Sequence, residues 1–461
     1  MTRKVPTKLY LSILATGLMA FCGVLIETAM NVTFPTLMKQ FKVGTGTIQW
    51  LTTGYLLVVS IIVPISGFLK RRFTTRKLFL TASALFIIGL TICSFANDFV
   101  SLLIGRLIQG CGTGIALPLM FNIILEQAPL KQMGFLMGIG TLVTAIAPAL
   151  GPTYGGILVD LNWHLIFICL LVVMALALII GLFSITQVTQ IVKLHLDLLS
   201  WALIALFFTA TILGLNSIEN APDCALLYGS AAVIGLIGYT IRSLHIKEPL
   251  INLRLFKNQA FDDHIITFLF IQIINVGSAF LLPNYLQLVN HTSSMIAGLL
   301  LLPGAALGAI MAPLSGKLYD NMGPAKPIYI GITLQFIGLL LLLLKALTAS
   351  PAVISIGYIL VMFGTGFSMG NIMTNGQAQL TRQQTTDGNA IFNTIQQFAG
   401  ALGTASVSLI IALAQTQTVN AHTTAIGAQY ALWYLLTLSI LGDVVIFLGL
   451  QRVHAKQKST H

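Results

Sequence analysis

The chain has 461 residues, of which 56% are hydrophobic and only 8% are charged, and its mean hydropathy is +0.91. A soluble domain carries about 25% charged residues, so this composition excludes a water-soluble protein and indicates a polytopic membrane protein. The net charge of +11 fits either nucleic-acid binding or membrane topology, and the positions of Lys and Arg distinguish the two.

Fourteen apolar segments are each long enough to cross a bilayer, which takes about 20 helical residues. We predict spans at 9–34, 47–69, 78–97, 99–124, 134–159, 164–186, 197–216, 225–244, 261–283, 293–316, 327–348, 352–378, 389–415 and 428–450. The first follows Arg3 and Lys4, but it is longer than the apolar part of a signal peptide and lacks a cleavage site, so we expect an uncleaved helix. The predicted fold class is an all-α polytopic membrane protein.

The positive charges predict the orientation. If the N-terminus is cytoplasmic, only Lys39, Lys42 and Lys345 fall outside, Arg106 falls within a span, and every other Lys and Arg falls inside. A span wrongly added or missed would invert all that follows, so this bias supports an even count with both termini in the cytoplasm. Topology in a cytoplasmic membrane, which we expect to be bacterial, therefore explains the basic charge. No nucleic-acid partner is expected.

A short internal repeat divides the chain. Pro64-Ile65-Ser66-Gly67 ends the second predicted span and Pro313-Leu314-Ser315-Gly316 ends the tenth, 249 residues later, and both precede a cytoplasmic loop. A chance match of four residues is the alternative, but the shared topological position favours two parallel six-helix bundles, a known transporter plan. We predict an N-terminal bundle at 1–196, two inserted helices with a cytoplasmic loop at 197–257, and a C-terminal bundle at 258–461.

Motifs follow one another within this framework. The first span contains Glu27-Thr28 and Asn31-Val32 followed by Pro35, and the loop after the second span contains Gly67, Arg72 and Arg76. The remaining motif residues are Arg106, Gln109, Gly110, Gly112 and Gly114, then Pro148, Gly151, Pro152, Gly155 and Gly156, then Gly316, Asp320, Gly323 and Lys326. In this order they resemble the major facilitator superfamily along essentially the whole chain, and specifically its fourteen-helix drug/proton antiporters of the EmrB/QacA type.

The resemblance implies how these motifs act. The Gly- and Pro-rich fifth span implies a kinked interface with the other bundle during alternating access, although ordinary tight packing is the alternative. The loop after the second span implies a latch of the inward-closed state. Arg71 stands where the family has Asp, so the family's charge relay does not carry over intact. Basic residues of this loop would then pair with helix C-termini or with an acid such as Glu126, unless Glu126 is simply solvated.

Charged side chains within spans are costly and commonly mark function. Glu27 and Arg106 are predicted at similar depths in the outer halves of the first and fourth spans. Low dielectric disfavours a carboxylate and a nearby cation favours it, so such a pair suits competition between a proton and a substrate. We expect Glu27 to be the main proton-coupling carboxylate with Arg106 beside it, and Asp443 to be a second proton or substrate-cation site. The alternatives are a carboxylate and a snorkelling Arg at the outer interface, and Asp262 and Asp263 are interpreted as complementing a helix N-terminus.

The substrate chamber is expected near the midplane between the bundles. Polar side chains within the spans are candidates to line it, although each serves equally well as an interhelical hydrogen bond: Asn31, Gln272, Asn275, Tyr285, Asn393 and Gln396. A mostly apolar chamber with few acids fits lipophilic, weakly cationic compounds.

The sequence thus predicts a proton-coupled multidrug exporter that moves lipophilic compounds or antibiotics by alternating access. Export of one endogenous metabolite or lipid by the same mechanism is the alternative, and a channel or receptor has less support because no selectivity filter or sensor domain is found. The sequence contains no P-loop, and its eight His and five Cys show no metal-ligand spacing, so we expect no enzyme activity, cofactor or metal. We expect a monomer whose partners are its substrate, protons and the lipid bilayer.

Overall fold

The computed structural model describes residues 6–128, 130–187, 191, 196–246, 249–381, 384–415 and 420–459. These residues form fourteen long helices. They are α1 (Thr7–Phe41), α2 (Thr45–Arg72), α3 (Thr75–Ser94), α4 (Phe99–Gln127), α5 (Leu130–Asn162), α6 (Leu165–Ser184), α7 (Leu198–Asn220), α8 (Pro222–His245), α9 (Gln259–Leu288), α10 (Ser294–Met322), α11 (Ala325–Leu344), α12 (Pro351–Ala378), α13 (Thr385–Ala414) and α14 (Ala421–Ser459).

Each of the fourteen predicted spans corresponds to one helix, which confirms the predicted helical segments. Thirteen of the helices are long and apolar enough over their described residues to cross a membrane, and α5 is the fourteenth, with 33 residues of apolar sequence. Several helices extend past the predicted ends, as α14 does to Ser459, because hydropathy reports the apolar part of a helix and not its polar continuation. Within α2, a 3-10 turn at Val63–Ile65 surrounds Pro64, whose ring nitrogen cannot donate a helical hydrogen bond.

The two ends of the helices differ in charge. The basic end is defined here by Lys70, Arg71 and Arg72 at the end of α2, and the far end by Asn97 and Lys345 in the short α3–α4 and α11–α12 connections. Five further residues predicted on the cytoplasmic side lie outside the described residues: Arg3, Lys4, Lys193, Lys247 and Arg382.

The packing of helices repeats in the two halves. α1 packs against α4, α5 and α6, and α9 packs against α12, α13 and α14 in the same order. The pairs α2–α4, α3–α4 and α3–α6 are matched by α10–α12, α11–α12 and α11–α14. The chain is therefore two six-helix bundles with α7 and α8 inserted between them, which confirms the predicted repeat. The bundle boundaries at 196 and 257 stay predictions.

The inserted pair lies against both bundles. α7 packs on α8, on α2 and on α13, with Phe208 stacked on Phe398 of α13 at 4.2 Å between ring centroids. The indole nitrogen of Trp201 donates to the carbonyl of Ile61 in α2 at 2.9 Å. α8 exposes many of its apolar side chains, as a helix facing lipid does.

Candidate functional site

Glu27 lies in α1 on the helix face that meets α2. The carbonyl of Gly23, one turn earlier, accepts a hydrogen bond from the Tyr55 hydroxyl at 2.7 Å. The side-chain oxygen of Asn31, one turn later, accepts one from the Thr52 hydroxyl at 3.1 Å. Residues four apart lie on one face of a helix, so Glu27 sits between these two links. Its side chain is half-buried, and no hydrogen bond or ion pair to it occurs within the described parts of the chain.

Arg106 is fully buried in α4, with 0% of its surface exposed. Its Nε donates to the carbonyl of Leu51 at 3.0 Å, and one terminal nitrogen donates to the Gln109 side chain at 2.8 Å. The guanidinium carbon lies 4.1 Å from the centroid of the Tyr55 ring, a cation–π contact. The alternative of an Arg snorkelling to the interface is therefore wrong, because these contacts hold the charge inside the bundle.

Glu27 and Arg106 both lie against the stretch of α2 from Leu51 to Tyr55, and they are close enough for their charges to interact. The ion pairs found among the described residues do not include this one. The second terminal nitrogen of Arg106 is buried and has no hydrogen-bond partner. The site thus holds a buried cation with an unsatisfied donor near a carboxylate that has no partner among the described residues.

Glycines let α4 approach this site closely. A Cβ added at Gly110 would lie 2.9 Å from the carbonyl oxygen of Tyr55, so no larger residue fits without moving α2. The glycine motif therefore sets the α2–α4 spacing at the level of the cation–π contact.

The fifth-span motif places α5 between α1 and α10. A Cβ added at Gly151 would clash with Thr28, and one at Gly155 would clash with the backbone carbonyl of Ala29, both in α1. On the opposite face, a Cβ at Gly156 would lie 2.5 Å from the Ser294 carbonyl of α10. Pro148 and Pro152 both lie inside the helix. The segment is an interface between bundles, as the resemblance implies.

The remaining contacts between the bundles include hydrogen bonds toward the far end and an apolar contact of α13 with Val63–Ile65 of α2. Gln287 of α9 donates to the carbonyl of Val32 in α1 at 2.8 Å, and Phe34 packs on Phe280. Every hydrogen bond that joins described residues of the two bundles lies in this half of the helices. The hydrogen bonds between the described parts of the two bundles are thus concentrated at the far end.

Three residues of the first loop motif lie at the surface of the described structure. Gly67 is exposed with no atom within 4 Å of an added Cβ, and Arg72 and Arg76 are exposed. Lys70 forms an ion pair with Glu126 of α4 at 2.9 Å. Glu126 is therefore paired with a basic residue of this loop and is not simply solvated.

The second copy of the loop motif is also open. Gly316 has no atom within 4 Å of an added Cβ, and Asp320 is exposed. The neighbouring Tyr319 hydroxyl donates to Asn375 of α12 at 3.3 Å, a contact within the C-terminal bundle.

The remaining acids of the spans separate into two kinds. Asp443 is half-buried in α14 and makes no hydrogen bond or ion pair with the described residues. Asp263 pairs with Arg452 of α14 at 2.6 Å, so its interpretation as a helix-terminus charge is wrong. Asp262 does lie in the first turn of α9, but one of its carboxylate oxygens is buried without a partner.

Some of the predicted substrate residues form hydrogen bonds within the protein, and others keep polar groups without a partner in the described structure. Asn31 is buried and used by Thr52, and Tyr285 is buried with its hydroxyl bonded to the carbonyl of Ala346 at 2.7 Å, so the interhelical alternative fits both. Asn393 donates to its own helix at Asn389. Three candidates keep polar groups that make no hydrogen bond in the described structure. The side-chain oxygen of Gln272 is buried and unpartnered, and Asn275 and Gln396 are half-buried.

Two buried residues, one in the site and one in the C-terminal bundle, escaped the sequence interpretation. Tyr55 joins α1, α2 and α4, yet a Tyr within an apolar span carries no signal of its own. His264 is fully buried in α9, where its ring contacts the Ala260 carbonyl and Asn375. Only tertiary contacts reveal either one.

Comparison with known proteins decides the family. A sequence profile of the Major Facilitator Superfamily matches residues 16–404. The chain belongs to this superfamily of transporters. It is 35% identical over 447 residues to the lincomycin resistance protein LmrB of Bacillus subtilis, covering 93% of each chain. It is 37% identical over 408 residues to LmrB of Listeria innocua, covering 87% of each. Both relatives are named as lincomycin resistance proteins.

More distant similarities agree with this assignment. The riboflavin transporter RibZ of Clostridioides difficile is 28% identical, with 92% of this chain and 94% of RibZ covered. The structure of a D-xylose–proton symporter matches 95% of this chain and 97% of its own with a TM-score of 0.68 at 16% identity. A bacterial homologue of the lysosomal transporter Spinster matches 96% and 97% with the same TM-score at 13% identity. Both structures support the fold alone.

Proposed function

We propose that this transporter exports lipophilic drugs or antibiotics across the bacterial cytoplasmic membrane in exchange for protons. The observation that carries the proposal is the half-buried, unpartnered carboxylate of Glu27 beside the fully buried Arg106. Similarity to lincomycin resistance proteins makes lincomycin the first compound to test.

The proposed orientation puts the basic end in the cytoplasm. The hydrogen bonds between the described parts of the bundles then close the outer side, and the loop-motif glycines Gly67 and Gly316, which have no atom within 4 Å of an added Cβ, face the cytoplasm. This is the inward-facing state of an alternating-access cycle, in which substrate enters from the cytoplasm. The far-end contacts must separate before release to the outside.

In the proposed cycle, Glu27 takes up a proton when the site faces outward and releases it when substrate binds from inside. Arg106 favours the charged carboxylate, so release of the proton does not leave an isolated buried anion. Its unpartnered nitrogen supplies a donor for the charged form. Asp443 is the second proposed proton or substrate-cation position, and Gln272, Asn275 and Gln396 are the proposed contacts to substrate.

The test is expression in an efflux-deficient bacterium. We expect resistance to lincomycin or to other lipophilic compounds, and dye efflux that an uncoupler stops. Glu27→Gln should abolish both, while the exposed Asp223→Asn should transport normally. Normal, uncoupler-sensitive efflux by Glu27→Gln would refute the role of Glu27.

A second candidate function is export of one endogenous metabolite, which the 28% identity to a riboflavin transporter favours. It predicts no resistance to any drug in the panel, and instead loss of a cellular compound to the medium when the protein is produced.

A further inference from the structure

The two bundles meet along two lines of contact, called seams here: α5 lies against α10, and α13 lies against α2. Both seams are closed at the far end in the same way. Thr45 is the first residue of α2 and Ser294 is the first residue of α10, and they lie 249 residues apart, the offset of the internal repeat. The end of α5 meets the start of α10, and the end of α13 meets the start of α2. The two junctions are therefore equivalent positions of the repeat.

At the first junction, Asp160 crosses from α5 to α10. One carboxylate oxygen of Asp160 accepts a hydrogen bond from the backbone N–H of Met295 at 3.1 Å. The amides of a first helical turn have no acceptor in their own helix. The side chain of the cap residue Ser293 accepts from the amide of Ile296, so the Met295 amide relies on the opposite bundle.

At the second junction, Gln415 crosses from the end of α13 to α2. Its side-chain oxygen accepts a hydrogen bond from the Thr45 hydroxyl at 2.9 Å, and Ser408 of α13 donates to the Thr45 carbonyl at 3.1 Å. The nitrogen of Gln415 donates to Thr424 of α14 at 2.8 Å, which fixes the orientation of the amide. This junction is buried and neutral, whereas the Asp160 junction is exposed and charged.

We infer that Asp160 and Gln415 are paired clasps that hold the outer gate closed, one on each seam. The inference rests on the proposed function in one respect, that the bundles separate at this end during transport. Both residues are positioning residues, since each acts on the opposing helix. Asp160 lies beyond the glycine motif that packs α5 on α10, so motif and clasp are separable.

The contacts bias the cycle because they exist only while the bundles meet. When the seams open, the Met295 amide and the Thr45 hydroxyl exchange their protein partners for water. A contact present in one state alone shifts the population by its own free energy. A carboxylate at an exposed helix N-terminus accounts for roughly a two- to fivefold shift, and a neutral buried hydrogen bond for about two- to tenfold.

The experiment measures the outer gate directly. Spin labels are attached to Asn97→Cys and Lys345→Cys, one per bundle at the far end, in the full-length protein with its five native cysteines replaced. Distance distributions are recorded by pulsed electron paramagnetic resonance in lipid nanodiscs without substrate. We expect Asp160→Ala and Gln415→Ala each to raise the ratio of open to closed forms about threefold. The double variant should raise it about ninefold, because distant effects add in free energy.

Controls separate the clasp from general loss of charge. Asp98→Ala removes an exposed far-end carboxylate that bonds only within its own helix turn, through Ser101, and should leave the ratio unchanged. Asp160→Asn keeps an oxygen acceptor and should restore most of the closed form. An unchanged ratio in the double variant, or an equal rise in Asp98→Ala, would overturn the inference. Because no transport is measured, failure of the proposed proton exchange would show in other experiments and not in this one.

Discussion

The contacts of Arg106 depend on the planar shape of its guanidinium group as well as on its charge. Arg106 uses its Nε on a carbonyl, one terminal nitrogen on Gln109 and its flat face on the Tyr55 ring. An ammonium group has no planar fork and cannot make all three contacts from one position. These three contacts therefore hold the guanidinium at a position where its positive charge interacts with the Glu27 carboxylate.

Arg106→Lys should consequently lower transport at least tenfold although the charge is kept. The loss of one charged hydrogen bond, about 1.5–3 kcal/mol, supplies this factor. Uncoupler-sensitive dye efflux at matched membrane abundance is the measurement. The same substitution at Arg242, at the end of α8, serves as the control. Wild-type efflux by Arg106→Lys would show that charge alone suffices.

Sequence reasoning found Glu27 and Arg106 because a charge inside an apolar span stands out. It did not find Tyr55, whose importance comes from contacts between α1, α2 and α4. It misjudged Asp263, since the partner Arg452 lies 189 residues away in sequence. Such pairings depend on how the helices assemble, which spacing along the chain does not encode.

At the scale of helices, the fit of α5 against α1 is decided by backbone contact. A methyl group at Gly155 would overlap the Ala29 carbonyl, and a backbone group cannot rotate aside as a side chain can. The glycine pattern predicted this interface, but not which glycine faces which bundle.

Gly155→Ala should therefore reduce transport strongly, and Gly155→Leu should abolish it while membrane insertion persists. Overpacking of this kind costs about 1–3 kcal/mol. Efflux is compared with the amount of protein in the membrane. Gly67→Ala, where an added methyl meets nothing within 4 Å, should transport normally as far as packing is concerned. Full activity in Gly155→Ala would contradict the packing argument.

The inserted helices are joined by Asp197, which precedes α7. Its carboxylate accepts from the first-turn amide of Ser200 and from Arg242 of α8 at 2.8 Å. The Arg242 hydrogen bonds, with help from Ser200, hold the pKa of Asp197 below its usual range. The stabilisation is thus complete above about pH 4, and is lost as the pH falls through that lowered pKa.

Asp197→Ala should speed amide hydrogen exchange in the first turn of α7 about tenfold at pH 7. Loss of the N-cap contributes about 1 kcal/mol and the part-exposed ion pair less. Mass spectrometry of the protein in nanodiscs measures this exchange. Asp223→Ala should leave it unchanged. Equal exchange in Asp197→Ala and wild type would show that the carboxylate does not hold the turn.

At the scale of the whole molecule, hydropathy and one repeated tetrapeptide were enough to predict fourteen helices in two bundles. Hydropathy reflects the local composition of each segment, and the tetrapeptide gives the offset of the internal repeat. Both can be read directly from the sequence. The closed far end was not predictable in this way. One sequence must support both an inward-facing and an outward-facing arrangement, and these differ by only a few kcal/mol.

Transport in proteoliposomes with an imposed pH gradient tests the central claim most directly. Purified protein is reconstituted, the gradient is set, and uptake of lincomycin or a fluorescent substrate is recorded together with proton movement. We predict substrate movement opposite to protons, stopped by an uncoupler and lost in Glu27→Gln but kept in Asp223→Asn. Substrate movement that ignores the gradient, or that persists with its proton flux in Glu27→Gln, would contradict the account.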